Sequence, residues 1–402
     1  MIAVLLMQTI ALTGATVYPV SRPKIEHATV LIRDGRIAAI GTKVVIPAGA
    51  TRIDATNMWI TPGLLDGSGQ LGLVEVDGVA ATRDADVKDD TVAAAFNVAE
   101  GINPASRLIA ITRIAGVTTT LAMPLTGLIR GQAVLIDLDG TTLEAMLVKS
   151  PVAVVAELSE ETKSAGGGSR AGAAARLRRV LDDARAYSLR KADWARGAMY
   201  PLAAPAADLA ALGPVLRGEL PLIIIANRRS DIATALRIAR EYRLKLILSG
   251  VAEGWQMAAD IARARVPVLV EPLDNIPSYD ALGARYANAA LLQRAGVKVA
   301  LLETNTHNSR NLRQQAGNAV AYGMGWDAAL RAVTLSPAEM FGVAARYGSL
   351  DSGKVANVVV WSGDPFELST RVEHVFIRGA EIPLRSRQTE LLERYRTLPP
   401  KY

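Results

Sequence analysis

Residues 59–73 carry the polar side chains whose spacing is most typical of an enzyme active site. The segment reads WITPGLLDGSGQLGL: an apolar run, a Pro-Gly bend, and then the alternating polar positions Asp66, Ser68 and Gln70. Successive strand side chains point to opposite faces, so these three lie on one face. Parallel α/β barrels place catalytic groups at the carboxyl ends of their strands, so this segment is the first candidate for a site.

Other ionisable groups also follow predicted strands. They are Glu75, Glu157, Glu253, Glu303 and His307. We expect Asp66 to be a buried hydrogen-bond acceptor that connects loops, and Glu253 to cap the helix that follows it, because helix N-termini favour acidic side chains. A Glu303 that points into the barrel could pair with His307. No Gly-x-Ser-x-Gly turn with a histidine partner surrounds Ser68, which predicts a pocket hydroxyl rather than a nucleophile.

Apolar strand-like runs alternate with amphipathic helix-like runs between residues 58 and 344. This alternation is typical of a parallel barrel with outer helices. The runs are rich in Val, Ile and Leu, as expected of strands that are covered on both faces. The predicted strands are residues 117–123, 152–156, 220–225, 244–248, 266–270 and 297–302.

Both ends of the chain also contain strand-like sequence. Near the N-terminus, Asp34-Gly35 separates two apolar runs and predicts a two-residue hairpin, because these residue types tolerate positive φ. Residues 348–361 and 375–379 read as strands near the other end, and residues 386–402 read as a helical tail.

The Thr-Pro-Gly segment resembles the opening strand of the amidohydrolase superfamily, written Thr-Pro-Gly-Leu-(Ile/Leu)-Asp-x-His-x-His. Ser68 and Gln70 stand where that family has two metal-binding histidines. Ile-Arg-Asp-Gly-Arg-Ile and Gly-Ser-Leu-x-x-Gly-Lys-x-Ala, from the two chain ends, are similar to the family's β-sandwich. The resemblance implies a (β/α)8 TIM-like barrel over residues 58–344 and a small β-sandwich built from residues 9–57 and 345–385.

The chain most resembles the imidazolonepropionase-like branch of that superfamily. Active members hold zinc with the first-strand histidines, a middle-strand lysine or glutamate, two later histidines and a last-strand aspartate. Local context places the last four positions at Val155, Ile225, Gly250 and Asn305, where relatives read His-Ala-Asn-Arg from 225 and His-Gly-Thr-Glu from 250. The predicted pocket-lining residues are Ser68, Gln70, Val155, Ile225, Asn227, Gly250, Glu253, Asn305 and His307.

The residues at these positions do not suit a hydrolytic metal. Zinc needs about three or four nitrogen, oxygen or sulfur ligands and lowers the pKa of its water toward about 7. Val155 and Ile225 cannot ligate, and Asn305 cannot act as a general base near neutral pH. Only one of the chain's three histidines falls in the barrel region; the three are His27, His307 and His374. We therefore predict no metal and no catalytic residue, although the family would bind zinc.

Two classes of function follow from this resemblance. The first is a metal-free, catalytically silent scaffold that binds a small molecule or acts as the non-catalytic partner of an active paralogue, as a homo-oligomer or hetero-oligomer. The alternative is a hydrolase of non-peptide or dipeptide C-N bonds that uses an unrecognised metal or carboxylate site. Metal-free lyase or isomerase chemistry is a third reading.

Composition removes several other classes. The net charge of +6 is scattered without long Lys/Arg runs, which argues against nucleic-acid binding. The absence of cysteine excludes disulfides and thiolate metal sites. Residues 1–7 are apolar but too few for a membrane span and lack a basic flank, so a cytoplasmic location is favoured over an exported one, which stays open.

Overall fold

A computed structural model describes residues 9–87, 91–198, 200–273, 278–397 and 399. The apolar segment at residues 1–7 and the last residues of the predicted tail lie outside the described residues. In the described part, no helix is both long enough and apolar enough to cross a bilayer.

Strands and helices alternate through most of the chain. The strands are β1 (Ile10–Val17), β2 (Ile25–Arg33), β3 (Arg36–Gly41), β4 (Thr51–Asp54), β5 (Trp59–Pro62), β6 (Leu64–Gly69), β7 (Val117–Ala122), β8 (Ile129–Asp137), β9 (Leu147–Glu157), β10 (Leu222–Ala226), β11 (Leu246–Gly250), β12 (Val268–Val270), β13 (Val299–Leu301), β14 (Val358–Trp361), β15 (Val372–Ile377) and β16 (Ala380–Glu381). The helices are α1 (Arg107–Arg113), α2 (Leu143–Met146), α3 (Arg170–Leu189), α4 (Lys191–Ala195), α5 (Ala206–Ala211), α6 (Gly213–Leu216), α7 (Arg229–Tyr242), α8 (Ala258–Ala264), α9 (Asn288–Arg294), α10 (Leu312–Ala321), α11 (Trp326–Ala332), α12 (Leu335–Met340) and α13 (Arg387–Tyr395).

One sheet joins the two ends of the chain. Its strand order is β16-β15-β14-β5-β1-β2-β3, with β4 alongside β1. The predicted hairpin connects β2 and β3, and its turn residues Asp34 and Gly35 have φ values of 56° and 73°. Because β5 pairs with β14, this sheet extends to Pro62, a few residues past the predicted boundary at 57.

The second sheet is a nearly closed barrel in which each strand pairs with the next one along the chain, from β6 to β13. The prediction of an α/β barrel with an added sheet from both ends is therefore confirmed. All six predicted runs overlap observed strands. The chain also contains a strand that was not predicted, β8, which runs antiparallel to both β7 and β9. A hairpin through Gly127, with φ of 111°, replaces the helical crossover expected there.

Apolar side chains fill the inside of the barrel. Leu65, Leu121, Val155, Ile223 and Leu269 belong to one buried cluster and are at most 2% exposed. Full burial of such a side chain contributes about 1.5–3 kcal/mol, so this filling is a principal source of the barrel's stability. A second and larger cluster lies between the strands and the outer helices.

A buried polar cluster connects the barrel to the end sheet. Asp137, at the end of β8, accepts hydrogen bonds from Thr119 Oγ1 at 2.9 Å, Asn357 Nδ2 at 2.9 Å and Tyr347 OH at 3.0 Å. Burial raises the pKa of the Asp137 carboxyl, while these donors and Arg378 oppose that rise. One carboxylate thus joins neighbouring barrel strands to residues 347–357, more than 200 positions further along the chain.

We expect Asp137→Asn to lower the free energy of unfolding by about 1–3 kcal/mol, because an amide NH2 would face a donor and leave a buried group unsatisfied. Urea denaturation measures the change. Asp139→Asn is the matched control: Asp139 is 32% exposed and pairs with Arg113 at 3.1 Å, and such surface pairs contribute about 0–1 kcal/mol. Equal losses in the two variants would contradict this account of Asp137.

Candidate functional site

A small cavity opens at the barrel end where the carboxyl ends of the parallel strands meet. We call it the mouth cavity. Its volume is about 190 Å³. Its lining residues are Ser68, Gln70, Met123, Leu125, Arg130, Ile225, Asn227, Ser249, Gly250, Ala252, Glu271, Arg285, Asn288, Leu302 and Thr304. This is the position at which barrel proteins carry their sites.

Five of the nine predicted pocket residues line the mouth cavity: Ser68, Gln70, Ile225, Asn227 and Gly250. The strand register explains why they meet. In the parallel ladder between β10 and β11, Ala226 lies opposite Gly250, so the ends of the two strands stand side by side. These five residues are up to 182 positions apart in the sequence, from 68 to 250.

Val155 lies deeper in the barrel than the mouth cavity. It pairs with Ile223 in the β9–β10 ladder and is fully buried in the apolar cluster inside the barrel. Its neighbours are the aliphatic side chains that fill the barrel. The structure thus places the predicted middle-strand position in the core.

The backbone at Gly250 disfavours a side chain. Its φ is +82°, in the left-handed region that L-residues seldom adopt, and a Cβ there would overlap Oδ1 of Asn227. The same Asn227 oxygen accepts a hydrogen bond from Ala252 N at 3.3 Å. Asn227 therefore occupies the space into which a side chain at position 250 would project.

Two polar side chains, one in β6 and one directly after it, accept hydrogen bonds from within the protein. Gln70 Oε1 accepts a hydrogen bond from Thr306 Oγ1 at 2.8 Å. Asp66 Oδ1 accepts from the backbone N–H groups of Ser68 at 3.2 Å and Glu303 at 3.3 Å. Asp66 is fully buried, and this burial raises the pKa of its carboxyl well above the usual range. Asp66 thus connects the first barrel strand to the chain that follows the last one.

Glu253 caps a helix, but not the one predicted. Its Oε2 accepts a hydrogen bond from Arg229 N at 2.8 Å, in the first turn of α7, and its Oε1 accepts from Gly283 N at 2.9 Å. The expectation that Glu253 caps the following helix is wrong. The turn after β11 brings the carboxylate back to the start of the preceding helix.

Asn305 and His307 lie outside the mouth cavity. Asn305 is exposed, and its Oδ1 accepts a hydrogen bond from His307 N at 3.0 Å. The His307 Nε2 atom lies 3.7 Å from Asp77 Oδ2. Glu303 accepts a hydrogen bond from Gln315 Nε2 at 2.8 Å, so the pairing considered between Glu303 and His307 does not form.

Two arginines at the mouth cavity were missed by the sequence analysis. Arg130 Nη2 forms a buried ion pair with Glu157, whereas its Nε is buried without a partner among the described residues. The guanidinium of Arg285 lies 4.6 Å from the centre of the Trp255 ring. Arg130 is the only basic residue in the mostly apolar run at 128–137, which is a signal for a buried pair, whereas nothing in the sequence around Arg285 indicates its position.

The comparisons of this chain with known proteins agree on one family. A model described as the amidohydrolase family matches residues 272–382. The amidohydrolase tasK of Hapsidospora irregularis is 23% identical over 385 residues, which are 87% of this chain but only 39% of that protein. The chain thus spans well under half the length of this curated relative.

Solved structures extend the likeness to nearly the whole chain. An amidohydrolase from Thermotoga maritima MSB8 is 27% identical, with a TM-score of 0.85 over 94% of this chain and 100% of that one. A molinate hydrolase, 18% identical with a TM-score of 0.59 over 94% of this chain and 95% of that one, shares the fold. The narrower imidazolonepropionase-like assignment stays a prediction. The predicted family is confirmed: this chain belongs to the amidohydrolase superfamily.

Proposed function

We propose that this chain is an amidohydrolase-family protein that has lost its metal centre and binds a small molecule in the mouth cavity without hydrolysing it. The observation that carries the proposal is the packing at Gly250. A position at which active relatives have a ligating histidine holds a left-handed glycine, and Asn227 fills the space beside it. A side chain at position 250 would adopt a strained left-handed conformation and would have to displace the Asn227 amide, so this backbone disfavours a ligand from position 250.

The donor set around the cavity supports the same conclusion. Ser68 offers a neutral hydroxyl, Gln70 has its oxygen bonded to Thr306, and Ile225 has no donor atom. A hydrolytic zinc uses imidazole, carboxylate or thiolate ligands, typically three from the protein. The residues present do not fit that metal, so we derive no step through one.

Packing energetics give a reason why several positions differ together. A single lost ligand would leave the remaining charged or polar ligands uncompensated inside the barrel, which is costly. With Val155 buried among aliphatic side chains and Ile225 packed against the same cluster, the centre of the barrel is apolar instead. Replacement of the whole set therefore costs less stability than replacement of one member.

The alternative is a hydrolase that uses a carboxylate. Asp66 is the strongest candidate, since a buried carboxyl group with a raised pKa is typical of acid–base catalysts. Its Oδ1 is bonded to two backbone N–H groups, however, and Asp66 is not among the residues that line the mouth cavity. The geometry favours binding. The predicted oligomer with a second copy or an active paralogue stays a prediction.

Metal analysis tests the proposal directly. We expect the natural protein, grown with added zinc, to contain far less than one zinc per chain, and the variant Ser68→His/Gln70→His/Ile225→His to gain about one, because three imidazoles make a zinc site. Ser68→His/Gln70→His is the matched control and should bind zinc much more weakly. Stoichiometric zinc in the natural protein, with chelator-sensitive hydrolysis of amide substrates, would contradict the proposal.

The packing at position 250 gives a stability prediction. Gly250→Ala should lower the free energy of unfolding by about 1–2 kcal/mol from its positive φ alone, and further through overlap with Asn227. Asn227→Gly/Gly250→Ala should recover the overlap part, so the two changes are non-additive in urea denaturation. Additive losses would show that Asn227 does not occupy this space.

The raised pKa of Asp66 gives a pH prediction. A group that holds its proton more tightly when folded contributes most stability below its unfolded pKa, about 3.9, and this contribution falls as the pH rises toward the folded pKa. Relative to the natural protein, Asp66→Asn should therefore become more stable with rising pH, by up to about 1.4 kcal/mol per unit. Urea midpoints between pH 4 and pH 7 measure this difference, and a constant difference would contradict it.

A further inference from the structure

The mouth cavity offers more unused hydrogen-bond donors than acceptors. Asn227 Oδ1 already accepts a hydrogen bond from Ala252 N at 3.3 Å. The group of this side chain that remains for a ligand is therefore the amide NH2, which is a donor. Asn288 has its oxygen bonded to Trp255 N and its nitrogen to Val251 O, each at 2.9 Å. The remaining strong donors are the guanidinium groups of Arg130 and Arg285.

Arg130 carries a donor that the protein leaves unmatched. Its side chain is 10% exposed, and Nη2 pairs with Glu157. Its Nε is buried and has no partner among the described residues. The Nη1 group of Arg130 is not fully buried and has no hydrogen bond among the described residues, so it is the part of this guanidinium that can take an acceptor from outside the chain.

Arg285 supplies a second guanidinium at the rim. It is exposed and lies over the Trp255 ring at 4.6 Å. A hydrogen bond from Trp255 Nε1 to Gly283 O, at 2.8 Å, fixes the orientation of this ring. No described carboxylate forms an ion pair with Arg285, which leaves its charge available to a ligand.

The size and charge of the cavity select among anions. At about 190 Å³ it is smaller than the roughly 300–1,000 Å³ typical of drug-sized ligands. Glu271 lines the cavity and Glu157 lies behind Arg130, so two carboxylates balance the two guanidiniums. The fork of an arginine suits both carboxylate and phosphate, but these two carboxylates repel a dianion such as phosphate more strongly than a monoanion.

We propose that the mouth cavity binds a small monocarboxylate, with its carboxylate group held between Arg130 and Arg285. This rests on the proposed binding function and names the ligand class for the same cavity. The uncharged part of the ligand lies against Ile225, Leu302 and Met123, which line the apolar side.

Calorimetric titration of the full, EDTA-dialysed chain tests the proposal with three probes. N-acetylglycine should bind at least about tenfold more tightly than N-acetylglycinamide, which has the same shape without the charge. Inorganic phosphate should bind more weakly than N-acetylglycine. Equal affinity for the acid and its amide, no detectable binding of the acid, or tighter binding of phosphate would overturn the monocarboxylate assignment.

Removal of the arginine charge and removal of the glutamate charge should change the Kd of N-acetylglycine in opposite directions. Arg285→Gln should raise the Kd of N-acetylglycine about tenfold, whereas Arg217→Gln, an exposed arginine paired with Glu219 near the amino end of β10, should leave it unchanged. Glu157→Gln should lower the Kd, because Arg130 then keeps its full charge for the ligand. An unchanged Kd in Arg285→Gln or a raised one in Glu157→Gln would overturn the proposal.

Folding is checked for each variant by circular dichroism. If Glu157→Gln does not fold, Arg130→Gln/Glu157→Gln removes both charges and should raise the Kd about tenfold; an unchanged Kd would overturn the proposal. Failure of the carboxylate inference can be distinguished from failure of the proposed function. A metal-free protein that binds no carboxylate rejects only this inference, whereas a natural protein with stoichiometric zinc rejects the proposed function even if the carboxylate binds.

Discussion

The barrel depends on three buried polar connections whose main partners lie within the protein. Asp66 joins β6 to the backbone after β13, where the barrel closes. Arg130 and Glu157 join β8 to the end of β9. Asp137 joins β8 to Asn357 beside the end sheet. Unpaired buried charges are costly, so these three connections fix the barrel closure and the position of the end sheet.

The same constraint explains why the family's opening motif persists without its histidines. Gly63 stands between β5 of the end sheet and β6 of the barrel, and a Cβ there would overlap Thr118. Its N–H donates to Asn357 O at 2.9 Å. Asp66, three residues on, closes the barrel. The frame of the motif is thus required by architecture, whereas Ser68 and Gln70 face the mouth cavity and can vary with its chemistry.

Short sequence patterns predicted those strands and turns that depend only on neighbouring residues. The apolar runs gave the parallel strands, and Asp34-Gly35 gave the hairpin between β2 and β3. The strand β8 was missed because Arg130, Gly131 and Gln132 interrupt its apolar run. The partner that explains a charged residue in this strand, Glu157, is distant in the sequence. The direction of the Glu253 carboxylate depends on a turn conformation that residue types do not determine.

The candidate site was predictable only where strand register controls it. Ser68, Gln70, Ile225 and Gly250 come together because neighbouring strand ends align. Arg285 follows β12 on a long connection and lies at the same cavity, in contact with Trp255. The periodicity of the sequence gives no indication of this contact. The pairing at Gly250 also limits how the cavity can change over evolutionary time. Because Asn227 fills the space beside Gly250, a new side chain there requires Asn227 to move or to be replaced, so changes at the two positions are coupled.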